Sequence, residues 1–445
     1  MNSHISMKAR RNTILMLLAA LTFLDTAQAA VSDRDLNQPG APIKISGLPN
    51  TLRMEVLRPF ADGREQDLAA TSSLARTFRV ISTTTDLSII SPLKKIDTVI
   101  QVGNDPRNRF TMHRVYKPGE RGNHRGSIIL LPSLISSFRE YMINESHDPM
   151  QSLAATLALA DYAVYGYSPR TSNLQPNACS SGIVDCSVMR DWGFNAYLEE
   201  IDYIRRQVVD QYDEKPAIGG LSLGGMLGVA AVNAKPSGYS GLLFWDSILY
   251  STDPSIVGLN TAICSQLNGA IAAGIYYDET LPNGAKQVVQ LGEFVTVQVF
   301  GSPTPSLGTP TFTNFAPNDT HTQLQFSSFP RVFEFIMATN NVESLPVMRD
   351  AQCSFAGDRT FTANLRKFKA PVFAIKQGLG FGPYMQETID LMRSRNVRIQ
   401  DNPAFGHLDA YLTAEHSTYA EGPILNWLNT VVFPNNDNDE LAPSR

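Results

Sequence analysis

From Gly126 to Ser247 the chain alternates short, uninterrupted apolar runs with longer segments of helical period, a pattern that few architectures accept. The runs GSIILLP, YAVYGYSP, PAIGGLS and SGLLFWDS each read as a strand buried on both faces, as happens when a largely parallel sheet is covered by helices. Between them, DPMQSLAATLALA (capped by Asp148 or a neighbour), WGFNAYLEEIDYIRRQVVDQY and GMLGVAAVNA read as helices. In the second of these, Phe194, Tyr197, Leu198, Ile201 and Val208 recur at helical spacing, with charges on the other face. The alternation predicts an α/β domain. Upstream, IDTVIQV and FTMHRVYKP alternate as paired strands around GNDPRN. Downstream, KAPVFAIKQG and VRIQDNP are further strands separated by the helical PYMQETIDLMRSR. A chain of 445 residues, 43% of them hydrophobic, suffices for one large core with a substantial insertion, or for two domains.

Within this framework GGLSLGG, residues 219–225, falls at the passage from a strand into a helix. The pattern G-x-S-x-G at such a junction is that of a nucleophile elbow, a turn sharp enough that only glycines leave room and strained enough to lift a serine Oγ above the sheet. Gly220 and Gly224 occupy the two required positions around Ser222. A phosphate cradle is excluded, because neither G-x-x-x-x-G-K-S/T nor G-x-G-x-x-G surrounds the serine.

GLSLG, the strand order around it and the late histidine of FGHLDAY make residues 96–250 and 368–432 similar to the α/β-hydrolase fold family. The resemblance implies a mostly parallel sheet flanked by helices, with residues 250–367 inserted as a cap or lid. It also implies the chain order nucleophile, acid, histidine. His407, behind the last expected strand, is then the base that Ser222 needs, because a serine hydroxyl is a weak nucleophile at its own pKa. Relatives usually carry the acid after the strand matching APVFAIKQG, yet LGFGPYMQ holds no Asp or Glu. A minority carry it one strand earlier, where SGLLFWDS ends in Asp246. That residue is expected to accept the His407 Nδ1 proton, with Asp253, Glu387, Asp390 and Asp409 in reserve. For the oxyanion hole the resemblance implies the backbone N-H of Leu223 and one from the loop after GSIILLP. Pro132 and Ser133 replace the usual His-Gly there, which makes Leu134 the second donor, ahead of Ser133. His113, His124, His147 and His321 lie in other loops or strands, and Trp192, Trp245 and Trp427 read as core.

Residues 1–29 read as a secretory signal peptide: Lys8, Arg10 and Arg11 precede the apolar TILMLLAALTFL, and AQA at 27–29 offers a cleavage site. The expected product is secreted or periplasmic, with no integral membrane span after signal removal. Residues 30–95 carry no assignable chemistry, apart from a helix expected around DLAATSSLARTF, and 436–445 read as a disordered tail. In an oxidising compartment the four cysteines favour two disulfides, with three connectivities open; Cys179 and Cys186, close together in a polar loop, are the preferred pair and leave Cys264 with Cys353. A zinc site is the weaker alternative, as no Cys pair has C-x-x-C spacing and no paired His lies nearby, and the expected hydrolase works without metal or cofactor. A net charge of -5 without a basic block speaks against nucleic acid. The expected activity is an exported serine carboxylesterase that forms an acyl-enzyme on Ser222 and acts on a small-molecule or oligomeric ester. The alternatives are a C-C (β-diketone) or polyester hydrolase of the same fold, and, from a different class, a catalytically silent binding protein.

Overall fold

The computed structural model describes residues 77–86, 91–119, 124–143, 152–174, 178–179, 181–278, 325–338 and 342–434. The expected signal peptide, most of residues 30–95, the tail, Asp148, His147 and His321 lie outside them.

Among the described residues eleven strands run in chain order: β1 (Phe78–Asp86), β2 (Lys94–Val102), β3 (Arg109–Tyr116), β4 (Gly126–Leu130), β5 (Tyr162–Ser168), β6 (Ala217–Leu221), β7 (Gly241–Trp245), β8 (Tyr277–Asp278), β9 (Glu343–Ser344), β10 (Val372–Gln377) and β11 (Val397–Asn402). Nine of them form one sheet, ordered β1-β2-β3-β5-β4-β6-β7-β10-β11. From β5 to β11 every pairing is parallel, whereas β1, β2 and β3 join antiparallel. Strand β1 lies within residues 30–95, where the sequence marks a helix around DLAATSSLARTF but no strand. Its FRVISTTTD is exposed along nearly its whole length, so it lacks the alternation that marks a half-buried strand. Of the helix expected around DLAATSSLARTF only Thr77 and Phe78 are described, and Phe78 opens β1.

The main helices are α1 (Leu153–Leu159), α2 (Phe194–Tyr212), α3 (Leu223–Ala234), α4 (Pro254–Ala272), α5 (Phe329–Ala338) and α6 (Leu345–Phe355). Successive strand residues divide between two buried clusters, as side chains that alternate across a sheet must. Ile129, Ile218, Leu242 and Phe244 join the residues of α2 and α3, while Ile128, Leu130, Leu243 and Trp245 join those of α1 and the C-terminal helices. The tyrosines of YAVYGYS and all three tryptophans belong to these clusters and are nearly inaccessible. Among the described residues no helix is long and apolar enough to cross a membrane.

The segment between β7 and β10 contributes α4, β8, α5, β9 and α6. It grips the rest of the molecule with polar side chains. Gly193 opens α2 without a side chain to cap it, and Asp350 of α6 accepts the Phe194 N-H at 2.7 Å instead. Ser344 Oγ donates to the Trp192 carbonyl at 2.8 Å. Cys179 bonds Cys186 and Cys264 bonds Cys353, with Cα atoms 5.5 and 5.0 Å apart. The second bridge joins α4 to α6 across 89 residues, a long loop whose closure restricts the unfolded chain. Replacing both Cys264 and Cys353 by Ser should cost about 2–4 kcal/mol and, for a folded unit this large, lower Tm by roughly 3–5 °C. Melting curves check this, and an unchanged Tm counts against it.

Candidate active site

The chain segments that leave the carboxyl ends of β4, β6, β7, β10 and β11 carry the candidate residues. The first is the turn at Ser222. Leu221 pairs with Trp245 at the end of β6, and the Ser222 N-H donates to the Trp245 carbonyl at 3.0 Å. Ser222 then takes φ 58°, ψ -122°, a conformation costly for any residue but glycine, and α3 starts at Leu223. The glycines around it make room for a second loop. A Cβ on Gly220 would lie 2.2 Å from the Leu131 carbonyl oxygen, and one on Gly224 only 1.9 Å from it. The chain after β4 therefore crosses directly over the turn, which leaves no space for side chains at either position. The Ser222 hydroxyl itself is half-exposed and takes part in no hydrogen bond among the described residues.

Asp246 is the first residue beyond β7, again at positive φ (36°), and is fully buried. Its N-H donates to the Ile375 carbonyl at 2.7 Å. Its carboxylate accepts three bonds: Gln377 N-H on Oδ1 at 3.0 Å, Phe381 N-H on Oδ2 at 3.0 Å, and His407 Nδ1 on Oδ2 at 2.6 Å. The loop LGFGPYMQ, which carries no acid, thus supplies backbone donors to an acid on the neighbouring strand. Gly380 lets it wrap closely, since a Cβ there would sit 2.0 Å from Asp246 Oδ2.

His407 is 2% exposed. The Gln377 amide donates to its carbonyl at 2.7 Å, and the Phe381 ring meets the imidazole edge-on with centroids 5.0 Å apart. Asp409 shapes the same loop by accepting the Gly406 N-H and the Ser327 hydroxyl, each at 2.7 Å. The other reserve acids are engaged elsewhere. Asp253 caps α4, Glu387 accepts the Thr252 hydroxyl at 2.7 Å, and Asp390 accepts the Gln386 amide at 2.8 Å.

A hydrogen-bonded Asp-His-Ser chain lies elsewhere in the sheet. Asp97 Oδ1 lies 2.7 Å from His113 Nδ1, and His113 Nε2 lies 2.7 Å from Ser168 Oγ. Ser168 is buried, however, and its Oγ also accepts the Phe138 N-H at 3.1 Å. Burial pushes the His113 pKa down, only partly offset by Asp97. This chain stitches β2, β3 and β5 to the residues after β4.

The loop after β4 is fastened to β6. Leu131 N-H donates to the Gly219 carbonyl at 2.9 Å, and Tyr141 OH bridges the Leu131 carbonyl (2.7 Å) and the Leu221 N-H (3.0 Å). Of the two oxyanion candidates in this loop, Ser133 has its N-H taken by Glu140 Oε1 at 2.9 Å, while the Leu134 N-H meets no acceptor among the described residues. The Leu223 N-H, first in α3, has no acceptor within its helix. The sequence reading did not single out Glu140 or Glu343, whose Oε2 accepts the Ile135 N-H at 3.0 Å. Both are buried to 2% exposure or less, and burial pushes both carboxyls up to about 7.

For Glu140 the consequence for stability has a definite sign. The folded protein holds a proton on Glu140 that the unfolded chain releases near its ordinary 4.5, so this contribution is complete at low pH and is lost as pH rises toward 7. Glu140→Gln cannot ionise. Between pH 5 and pH 8, wild type should therefore lose stability relative to E140Q, by up to about 3 kcal/mol. Denaturant titrations at the two pH values measure the difference, and equal slopes with pH for the two proteins refute it.

No protein-family model matches the chain, and no curated protein matches it. Solved structures do. A candidate lipase from Sulfolobus solfataricus superposes with a TM-score of 0.55 at 14% identity, over 78% of this chain and 99% of that one. A thermostable carboxyl esterase from Bacillus coagulans, in complex with glycerol, superposes with a TM-score of 0.49 at 13% identity, over 76% and 99%. At such identities the first likeness bears on the fold alone.

Proposed function

We propose that this chain, which has the α/β-hydrolase fold, is an exported serine hydrolase that cleaves carboxylic esters through an acyl-enzyme on Ser222. The observation that carries the reading is the buried 2.6 Å bond between Asp246 and His407, formed one strand away from a strained serine whose hydroxyl is uncommitted. With its Nδ1 proton held by Asp246, His407 has Nε2 as its basic nitrogen. Ser222 Oγ attacks the ester carbonyl carbon as its proton passes to Nε2, and Asp246 stabilises the resulting imidazolium. Negative charge on the former carbonyl oxygen is met by the N-H groups of Leu223 and Leu134. The tetrahedral species collapses, the C-O bond to the alcohol breaks, and the imidazolium protonates the departing oxygen. A water molecule then gives its proton to His407, attacks the acyl carbon, and releases the acid while Ser222 regains its proton. Every proton is accounted for by groups of this chain, the substrate and water.

Export is supported by the N-terminal sequence pattern and by the two disulfides, which persist in oxidising compartments. The activity is tested with a short activated ester and a fluorophosphonate probe, wild type against Ser222→Ala. Turnover that survives the substitution rejects the reading.

A further inference from the structure

We infer that Glu140 and Glu343 are positioning residues for the oxyanion hole: they hold the amides on either side of Leu134, so that the second donor is in place only when the segment between β7 and β10 is docked. This rests on the reading of Ser222 as nucleophile and deepens it.

Residues Ser133 to Ser136 form a turn closed by the Ser136 N-H on the Ser133 carbonyl at 3.2 Å. Its third residue, Ile135, has φ 57°. A β-branched side chain is a genuine outlier there, and such a conformation persists only where the surroundings impose it. What imposes it are two buried carboxylates. Glu140, five residues further along the same loop, takes the Ser133 N-H at 2.9 Å and the Ser133 hydroxyl at 3.3 Å. Glu343, from β9, takes the Ile135 N-H at 3.0 Å and its own neighbour's Ser344 N-H at 2.9 Å, one on each oxygen. Of three consecutive amides, only that of Leu134 is left without an acceptor among the described residues. A hole needs its donors aimed before charge develops, so a clamp on the two flanking amides fixes the direction of the middle one. The facing groups are polar and few. Tyr141, Tyr411 and Ser136 lie about Glu140, while Tyr197 and Asp278 lie about Glu343. Because Glu343 is contributed by a segment more than 200 residues away, seating of that segment and assembly of the hole become one event.

A positioning role differs from a merely structural one in where the loss falls. Kinetics on a short activated ester should show kcat lowered about 10- to 100-fold in Glu343→Ala with KM within about two-fold, because a donor that acts on the oxyanion is worth ~10²–10³ when lost outright and less when only misaimed. Glycine tolerates φ 57° without strain, so Ile135→Gly in the E343A background should restore at least ten-fold of that loss. Glu140→Ala should behave like E343A, whereas Glu140→Gln, which keeps Oε1 as acceptor, should lose no more than a few-fold. If E343A does not yield folded protein, Glu343→Gln carries the same test: it leaves one acceptor for two amides, so a three-fold or greater fall in kcat at constant KM, restored by Ile135→Gly, is expected. The inference is overturned by an unchanged kcat in the folded Glu343 variant, by a loss confined to KM, or by failure of Ile135→Gly to restore activity. Failure of the underlying reading is seen separately, as turnover that survives Ser222→Ala.

Discussion

Ser222→Ala should abolish fluorophosphonate labelling and lower ester turnover by on the order of 10⁴–10⁶, the range found when a serine nucleophile is removed from an otherwise intact site. The magnitude follows from the chemistry: without the hydroxyl no acyl-enzyme forms, and only the field of the site remains. The structure also makes the experiment clean. The Ser222 backbone donates its N-H to Trp245 and its carbonyl accepts the Ser247 hydroxyl at 2.7 Å, while Oγ bonds to nothing among the described residues. Removing Oγ therefore leaves every backbone contact of the turn in place, and the variant should melt close to wild type. A probe adduct mapped to a different serine, Ser168 for instance, would sink the assignment.

Asp246→Asn should lower kcat by about 10⁴. Both carboxylate oxygens are needed as acceptors: Oδ1 faces the Gln377 N-H, and Oδ2 faces the Phe381 N-H and His407 Nδ1. An amide has one acceptor oxygen. If that oxygen stays toward Gln377, the amide NH₂ faces the imidazole and forces Nδ1 to accept, which moves the ring proton to Nε2 and removes the base. If it turns toward the histidine, a donor is buried against the Gln377 N-H. Either arrangement is costly, so a drop in Tm should accompany the kinetic loss. Glu387→Gln and Asp390→Asn, whose carboxylates are engaged at Thr252 and Gln386, should stay within a few-fold of wild type. Near-normal turnover in D246N places the acid elsewhere.

The fold was legible because its evidence is local. Each of GSIILLP, YAVYGYSP, PAIGGLS and SGLLFWDS is apolar enough to announce a strand covered on both faces, and four of the six parallel strands follow from them; KAPVFAIKQG and VRIQDNP supply the other two. The sharp strand-to-helix turn at Ser222 was legible from its glycines, and their reason turns out to be the backbone of Leu131 lying against them. Asp246 came from the resemblance, a minority of whose members carry the acid one strand earlier, once LGFGPYMQ proved to lack one; that the same loop would serve as donor to Asp246 could not be read from side-chain identities, since the donors are backbone amides. Strand β1 escaped notice because an exposed edge strand has no burial to write into its sequence. Glu140 and Glu343 escaped for a different reason. A buried glutamate looks like a surface one until the amides it accepts are known, and those of Glu343 lie partly across 208 residues of chain. His113 also sits in an Asp-His-Ser chain with good distances, but its serine is buried and its Oγ is engaged by the Phe138 N-H.

The helix cap supplied by Asp350 has a practical corollary for anyone who wishes to redirect this scaffold to new substrates. Grafting a foreign lid between β7 and β10 is the obvious way to trade one specificity for another, on the view that such lids are interchangeable modules. Here that segment also supports the core: Asp350 caps the start of α2 and Glu343 holds Ile135. A chimaera that imports only the donor's pocket-facing residues would leave the first amide of α2 and the amide of Ile135 without acceptors, damaging the host rather than retuning it. Transplants should therefore be cut so that residues 343–350 remain native, and diversity confined to the stretch before them.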